Sequence, residues 1–590
     1  MTFLDYYRSN LAHIRGIANE FAAEFPKIAE RLELSEYNCQ DPYVERILEG
    51  TAFLAARVEH KLESGFPRFL ETVSSSVAPQ LTAPIPSYAV VNCVPDYADE
   101  RLRDVYVMKR GTTFKCKVPG VETPCVYSTI IDVSVGAAVL RSARYEIRDF
   151  DSLGIDDRGA GAALVMEVID ADGVGGAAMP DDLLAYLDMP DSMASAMQGQ
   201  LCGDLRGIYL RHGDKTVRLE SSTVDVPMFT ENCERRFRVP NGVQAMVWFM
   251  ACPRLFKFFR VKGVKAAFDA IGGVPGELIF VFARREDMFI RAIDAKSIKL
   301  GCVPVANMFT RRSDRTECNG AFEHHVTPDR SAPMDMEVLS VESVEAYDAR
   351  NQVVFRAQAN YRGEGDNHFV THRRARLFNP DHSRSSYHGT EMFVSLAGKD
   401  YDLHHDEIRQ VGALLYCTNR DLPLLIRADD PVFPPVEEPI ASAAFVGTPS
   451  PPAPPLITGG AAEDWEKVGM VTANLSSVLW RNGMIPADIV RKMIRMYANE
   501  GESVARRLAD AIATVVSTPR IFRFVSGGTP YFESGWRLDL TLNEDFCSGT
   551  GVFIFARILG EFFASFVPIN TCVEFVVSTD RRKEAFRWQL

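Results

Sequence analysis

The chain has 590 residues, 46% hydrophobic and 24% charged. That balance is ordinary for a globular protein, predicts about four domains and argues against wholesale disorder. The formal net charge of −13 and a pI near 5.5 oppose binding to phosphate backbones, and Arg235-Arg236 and Arg581-Arg582-Lys583 are too short to reverse this, so no nucleic-acid partner is expected.

The first elements are helical. Leu4, Tyr7, Leu11, Ile14, Ala18, Phe21, Phe25, Ile28 and Leu32 recur in steps of three and four, a heptad seam that calls for a facing helix, either within the chain or from a partner. Asp5, Arg8 and His13 interrupt this segment before any signal-peptide core could form, and no run of 18 apolar residues exists, so direct membrane insertion is not expected. Pro26 should kink or divide the helix. Asp41 is placed to cap a helix over 42–64 with Pro42 at its first position, and Val44, Ile47, Leu48, Leu54, Ala55, Val58 and Leu62 form its apolar stripe. A short helix over 67–78 follows. Ala83-Pro84-Ile85-Pro86-Ser87 then breaks the pattern and marks the end of a helical segment spanning 1–80.

From residue 87 the apolar period becomes two. Segments 88–94, 112–117 and 126–130 are expected strands of a β-rich domain over 87–160. A mixed β-rich region over 161–430 follows, with strands expected at 163–169, 207–211, 245–250 and 278–283 and helices at 181–188 and 264–270. Nine prolines between Pro431 and Pro455 predict an extended, poorly packed linker over 431–460. In the last segment, 461–590, Ile489 to Tyr497 and Val504 to Val515 have helical spacing. Trp536, Leu538, Leu540 and Leu542 alternate like a strand, 552–566 is an apolar helix, and 572–578 is a strand. The fold class is therefore multidomain α+β: an N-terminal helical segment, β-rich central domains and a C-terminal α+β domain.

Chemistry-bearing patterns are few. Gly173-Val174-Gly175-Gly176-Ala177-Ala178 loosely fits a dinucleotide loop, but Pro180 stands where its helix should be under way, and a plain loop explains it better. His324-His325 and His404-His405 are adjacent pairs, and neighbours on a strand point to opposite faces, which makes poor chelates. The twelve cysteines contain no Cys-x-x-Cys and sit mostly in apolar stretches, as in a reducing compartment. Cys417-Thr418-Asn419-Arg420-Asp421-Leu422-Pro423 sets a thiol beside an arginine, an arrangement that suits a reactive thiolate; a strand end followed by a turn, with Arg420 paired locally, is the favoured account. No catalytic residue, metal site or cofactor is expected. A β-rich ligand-binding module, or a hydrolase whose site is assembled from distant residues, is the alternative.

That last string resembles a signature of the TssF family (VasA/ImpG) of the type VI secretion system, and the resemblance extends along the chain. Tyr6-Tyr7, Glu20-Phe21-Ala22 and Phe25-Pro26-Lys27-Ile28-Ala29 are similar to the family opening. The most specific block is 41–50, from Asp41-Pro42-Tyr43 to Glu49-Gly50, followed by Phe53-Leu54-Ala55-Ala56-Arg57. Pro304-Val305-Ala306-Asn307-Met308-Phe309, Met336-Glu337-Val338-Leu339-Ser340-Val341, Gly551-Val552-Phe553-Ile554-Phe555-Ala556 and Ile569-Asn570 follow in the family's order. Two places depart from it: Trp465 is followed by Glu466-Lys467-Val468, and only Gln589-Leu590 follow Arg587-Trp588. The resemblance implies a structural subunit of a cytoplasmic baseplate docked on an inner-membrane complex. Two copies would join one TssG-like subunit in a wedge, with TssK-like and TssE-like subunits around a VgrG spike hub, and the baseplate would seed the sheath. The seam from Leu4 to Leu32 is the expected partner-binding surface.

Overall fold

The structure, a computed structural model, describes residues 3–31, 41–77, 79–102, 105–171, 179–213, 215–220, 223–230, 241–270, 275–318, 322–359, 367–376, 384–397, 408–457, 461–472, 479–480, 482–497, 503–526, 529–547, 549–567 and 571–589. The loop at 173–178, the pair His404-His405 and Leu32 lie outside the described residues. The chain divides into two compact units, residues 1–78 with 457–469, and residues 79–456 with 470–590.

The first unit is built on helices α1 (Phe3–Glu24), α2 (Pro26–Arg31) and α3 (Pro42–Val77). Pro26 does divide the first helical run, because it has no N–H to give to the preceding turn. Asp41 caps α3: its Oδ1 accepts the Tyr43 N–H at 2.8 Å and its carbonyl accepts Glu45 N–H at 3.0 Å. The two helices expected over 42–64 and 67–78 form one continuous helix. α1 and α3 pack antiparallel. Phe3 meets Phe53 edge-on at 5.4 Å between ring centroids, Tyr6 meets His60 at 5.8 Å, Asn10 donates to Glu59 at 2.5 Å, and Arg15 pairs with Glu45.

The second unit is mostly β. A closed six-stranded barrel joins Tyr88–Pro95, Cys302–Ala306, Cys125–Thr129, Thr113–Cys116, Val432–Phe433 and Ile440–Phe445, the last pairing back to the first. The segment expected to be an unpacked linker therefore contributes two barrel strands. Its prolines fall between and beside them, and Ser450 is stitched to Tyr88 by two hydrogen bonds of 2.8 and 2.9 Å. A five-stranded sheet centred on Gly276–Phe282 and a four-stranded sheet containing Phe258–Lys262 and Asp182–Leu187 enclose a common core that includes Leu164, Met166, Leu187, Phe259, Leu278 and Phe280. An eight-stranded sheet carries Glu337–Tyr347 beside Gln410–Thr418. The C-terminal five-stranded sheet contains the long hairpin Ile512–Ser526 and Thr529–Leu542. The second of these strands runs parallel to Cys572–Thr579, and helix Val552–Ala564 makes the crossover.

Three expectations are corrected. Residues 245–250 lie in a helix, Asn241–Ala251, not a strand, and 181–188 hold a strand, Asp182–Leu187, not a helix. Both segments are buried on all sides, from Val243 and Ala245 to Met250 in one and Leu183 to Leu187 in the other. An all-apolar run has no period from which helix and strand can be told apart. The helix expected to run to Val515 stops at Asp510, and Ile512 opens a strand.

Candidate interaction surface

α1 and α3 each present two different sides. On α3, Ala52 and Ala56 are fully buried and share a side with Glu45, Glu59 and His60, which all meet α1 or lie beside residues that do. Tyr43, Ile47, Leu54 and Val58 lie roughly opposite, since each residue turns the helix by about 100°. These four are 81%, 67%, 63% and 59% exposed. On α1 the contact with α3 is made by Phe3, Tyr6, Asn10 and Arg15; the first three lie roughly a quarter turn to one side of the middle of the heptad seam and Arg15 to the other. Of the seam residues, Leu4, Phe21, Phe25 and Ile28 are exposed, while Tyr7, Leu11, Ile14 and Ala18 are half-buried. The seam is not used up in closing the hairpin.

The hairpin thus offers two apolar stripes of large residues. Single exposed apolar residues are unremarkable, but contiguous patches are not. Tyr43 belongs to this surface and was not among the sequence candidates. The 4-7-4 spacing of 43, 47, 54 and 58 was the available signal for Tyr43.

The signature 417–423 serves packing. Strand Gln410–Thr418 ends there and a 3-10 turn, Leu422–Leu425, begins. Asn419 Oδ1 accepts Val126 N–H at 2.8 Å and Asn307 Nδ2–H at 2.9 Å, Asn419 Nδ2 donates to the Pro124 carbonyl at 3.2 Å, and Asn419 N–H donates to Asn307 Oδ1 at 2.7 Å. Asn307 Nδ2 also donates to the Val126 carbonyl at 2.8 Å. This reciprocal clasp ties the eight-stranded sheet to the barrel. Arg420 takes a left-handed conformation, φ 49°, and is buried. Burial pushes the Cys417 thiol up to about 12, the opposite of what a reactive thiolate needs. His324 is buried and His325 half-buried at one end of the same sheet, and burial lowers the His325 pKa. Among the described residues, no group of three or more His, Cys, Asp or Glu is arranged to hold a metal ion, and no helix is long and apolar enough to cross a membrane.

Comparison with known proteins places these features in a family. The model of the family described as "Type VI secretion system, TssF" matches residues 1–590. A relative from Pseudomonas aeruginosa, "Type VI secretion system component TssF1", is 30% identical over 610 residues, covering 99% of this chain and 98% of that protein. Among solved structures, a chain of a type VI secretion system TssK-TssF-TssG baseplate subcomplex has a similar fold. It gives a TM-score of 0.70 at 19% identity, covering 93% of this chain and 98% of that one. A chain of a baseplate complex from the type VI secretion system gives 0.53 at 16% identity, covering 100% and 98%.

Proposed function

Because the chain belongs to the TssF family of the type VI secretion system, we propose that it is a structural subunit of the baseplate, acting by assembly and not by catalysis. In this reading two copies join one TssG-like subunit in a wedge core. TssK-like and TssE-like subunits attach to the wedge, wedges surround a VgrG spike hub, and the baseplate works from the cytoplasmic side of the inner-membrane complex to seed the contractile sheath. The observation that carries the reading is the apolar surface left exposed on the hairpin: Tyr43, Ile47, Leu54 and Val58 on α3, and Leu4 and Phe21 on α1. A helix buries such a stripe against another helix, and in a wedge the second copy and the TssG-like subunit supply those helices.

The test is a pull-down of the TssG-like subunit and of a differently tagged second copy. Wild-type chain is expected to recover both. Ile14→Asp and Phe21→Asp are expected to recover neither at wild-type levels while circular dichroism shows them folded. Glu20→Ala and Glu24→Ala, on exposed positions, are the tolerated controls. Full recovery of both partners by a folded Ile14→Asp variant would remove the seam from the assembly surface.

A further inference from the structure

The C-terminal hairpin outruns its sheet. Strand Gly483–Ile485 follows Ile512–Ser526 no further than Ser517, and Cys572–Thr579 joins Thr529–Leu542 only from Gly535 onward. Beyond those points, residues 518–526 and 529–534 lie in a two-stranded ribbon. Its register assigns its faces. Pro519 stands opposite Trp536, Ile521 opposite Ser534, Arg523 opposite Phe532 and Val525 opposite Pro530. These residues share one face, because side chains alternate along a strand. That face is the core face of the sheet carried outward: Leu538, Leu540 and Leu542 continue the series from Trp536 and are buried.

In the body of the sheet a helix covers this face. Phe575, opposite Leu538, meets Phe563 of helix Val552–Ala564 at 6.1 Å between ring centroids, and Trp588, opposite Phe575, meets Phe553 of the same helix at 6.1 Å. Trp480 meets Trp536 at 6.4 Å, and past this pair the cover stops: Ile521, Phe532 and Val525 are 73%, 68% and 63% exposed. The reverse face of the ribbon is occupied by its own side chains. Phe524 stacks on Tyr531 at 5.4 Å, Phe522 is buried over Gly535, and the Cys572 thiol donates to Glu533 at 3.1 Å. Pro519 and Pro530 stand one on each strand and lack an N–H, which opposes the addition of a third strand at either edge. Arg523 is the one charged residue on the exposed face, and among the described residues it has no ion pair, whereas Arg520 on the reverse face is paired with Glu574.

We propose that this face docks an amphipathic helix of a partner polypeptide, whose apolar stripe carries a carboxylate opposite Arg523. Such a helix continues the layer that Val552–Ala564 forms on the same face of the sheet. Its carboxylate pairs with the guanidinium as the apolar contact takes both out of water, and an apolar helix without an acid would leave that charge uncompensated. The same face of a second copy would bring a second cation and no acid. The proposal rests on the assembly reading for the source of the helix and adds a second contact surface to it.

The experiment is photo-crosslinking in the complex of the full chain co-expressed with the TssG-like and TssK-like subunits. The photoreactive residue p-benzoylphenylalanine replaces Phe532 or Ile521 on the proposed face, or Tyr531 on the reverse face. The probes at 532 and 521 are expected to mark partner residues spaced by three and four, as on one side of a helix, and the probe at 531 to mark none. Adding Arg523→Glu is expected to lower the yield from position 532 roughly tenfold, and Arg523→Lys, which keeps the charge, to leave most of it. Crosslinks to a second copy alone, to lipid, or to partner positions spaced by two overturn the proposal. So do equal yields from positions 532 and 531, and a full yield with Arg523→Glu. A complex that forms with no crosslink from 532 or 521 overturns this proposal alone, whereas a wild-type chain that recovers neither subunit overturns the assembly reading with it.

Discussion

Asn419 shows how one side chain couples two sheets. Its side-chain Oδ1 accepts from Asn307 Nδ2 across 112 positions of sequence, its backbone N–H donates back to Asn307 Oδ1, and the two side chains together satisfy backbone groups at Pro124 and Val126. Removing the amide leaves several buried partners without bonds, at about 1–3 kcal/mol for each group stranded. Asn419→Ala is expected to destabilise the chain by about 2–4 kcal/mol, with part of the loss offset by relaxation, as measured by urea unfolding. A change below about 0.5 kcal/mol would mean that the clasp is replaceable by water. Asp225 makes a second residue-scale case. Burial works to raise its pKa, but Arg260, at 3.0 Å from both carboxylate oxygens, and Lys262, at 3.0 Å, outweigh burial and hold it below the usual 3.8. The unfolded chain then binds the proton more tightly, so this stabilisation is present above pH 3.8 and is lost as the pH falls through the lower folded value. Asp225→Asn strands the buried Arg260 charge and is expected to cost about 3 kcal/mol at pH 7. The gap from wild type should narrow only below pH 3.8, as followed by unfolding across a pH series.

At the scale of elements, the hairpin of α1 and α3 separates folding from recognition by side. Ala52 and Ala56 are fully buried on the side of α3 that carries Glu45 and Glu59, and Ala52→Leu is expected to overpack that side by about 1–3 kcal/mol and to release α1 to faster amide exchange. Leu54→Asp and Ile47→Asp lie on the opposite side. Their cost to folding should stay within about 0.5 kcal/mol, while recovery of the TssG-like partner in a pull-down falls at least tenfold. Equal recovery with folded Leu54→Asp would remove that stripe from the interface. The heptad seam was legible in the sequence because Leu, Ile and Phe recur against charged neighbours. What the sequence withheld was which other groups of α1 meet α3: Phe3, Tyr6, Asn10 and Arg15 make that contact with aromatic and polar groups that apolar periodicity does not count. The clasp was legible only as a turn, because its partners lie more than a hundred residues away. The segments 182–187 and 241–251 were misassigned because burial on every side erases the alternation that tells strand from helix.

At the scale of the whole molecule, the exposed side of the hairpin predicts how the protein behaves without its partners. The exposed apolar residues of the α1–α3 hairpin should make the purified chain prone to self-association, and co-expression with a TssG-like subunit should raise its soluble yield. A monodisperse monomer with residues 1–80 fully protected in hydrogen exchange would contradict this.

The barrel's first strand, Tyr88–Pro95, finds its neighbours at Cys302–Ala306 and Ile440–Phe445. On the ribosome the strand is made early and its closing neighbour last. Val91 pairs with Phe445, and at 5–20 residues per second the interval between them is on the order of 20–70 s. The prolines that read as a tether hold the two strands that end this wait. A nascent chain arrested before residue 432 has completed its helical hairpin but carries a barrel open along one side. Synthesis therefore acts as a clock: the partner-seeking stripes emerge first, and the β-core is sealed only after most of the chain has been read.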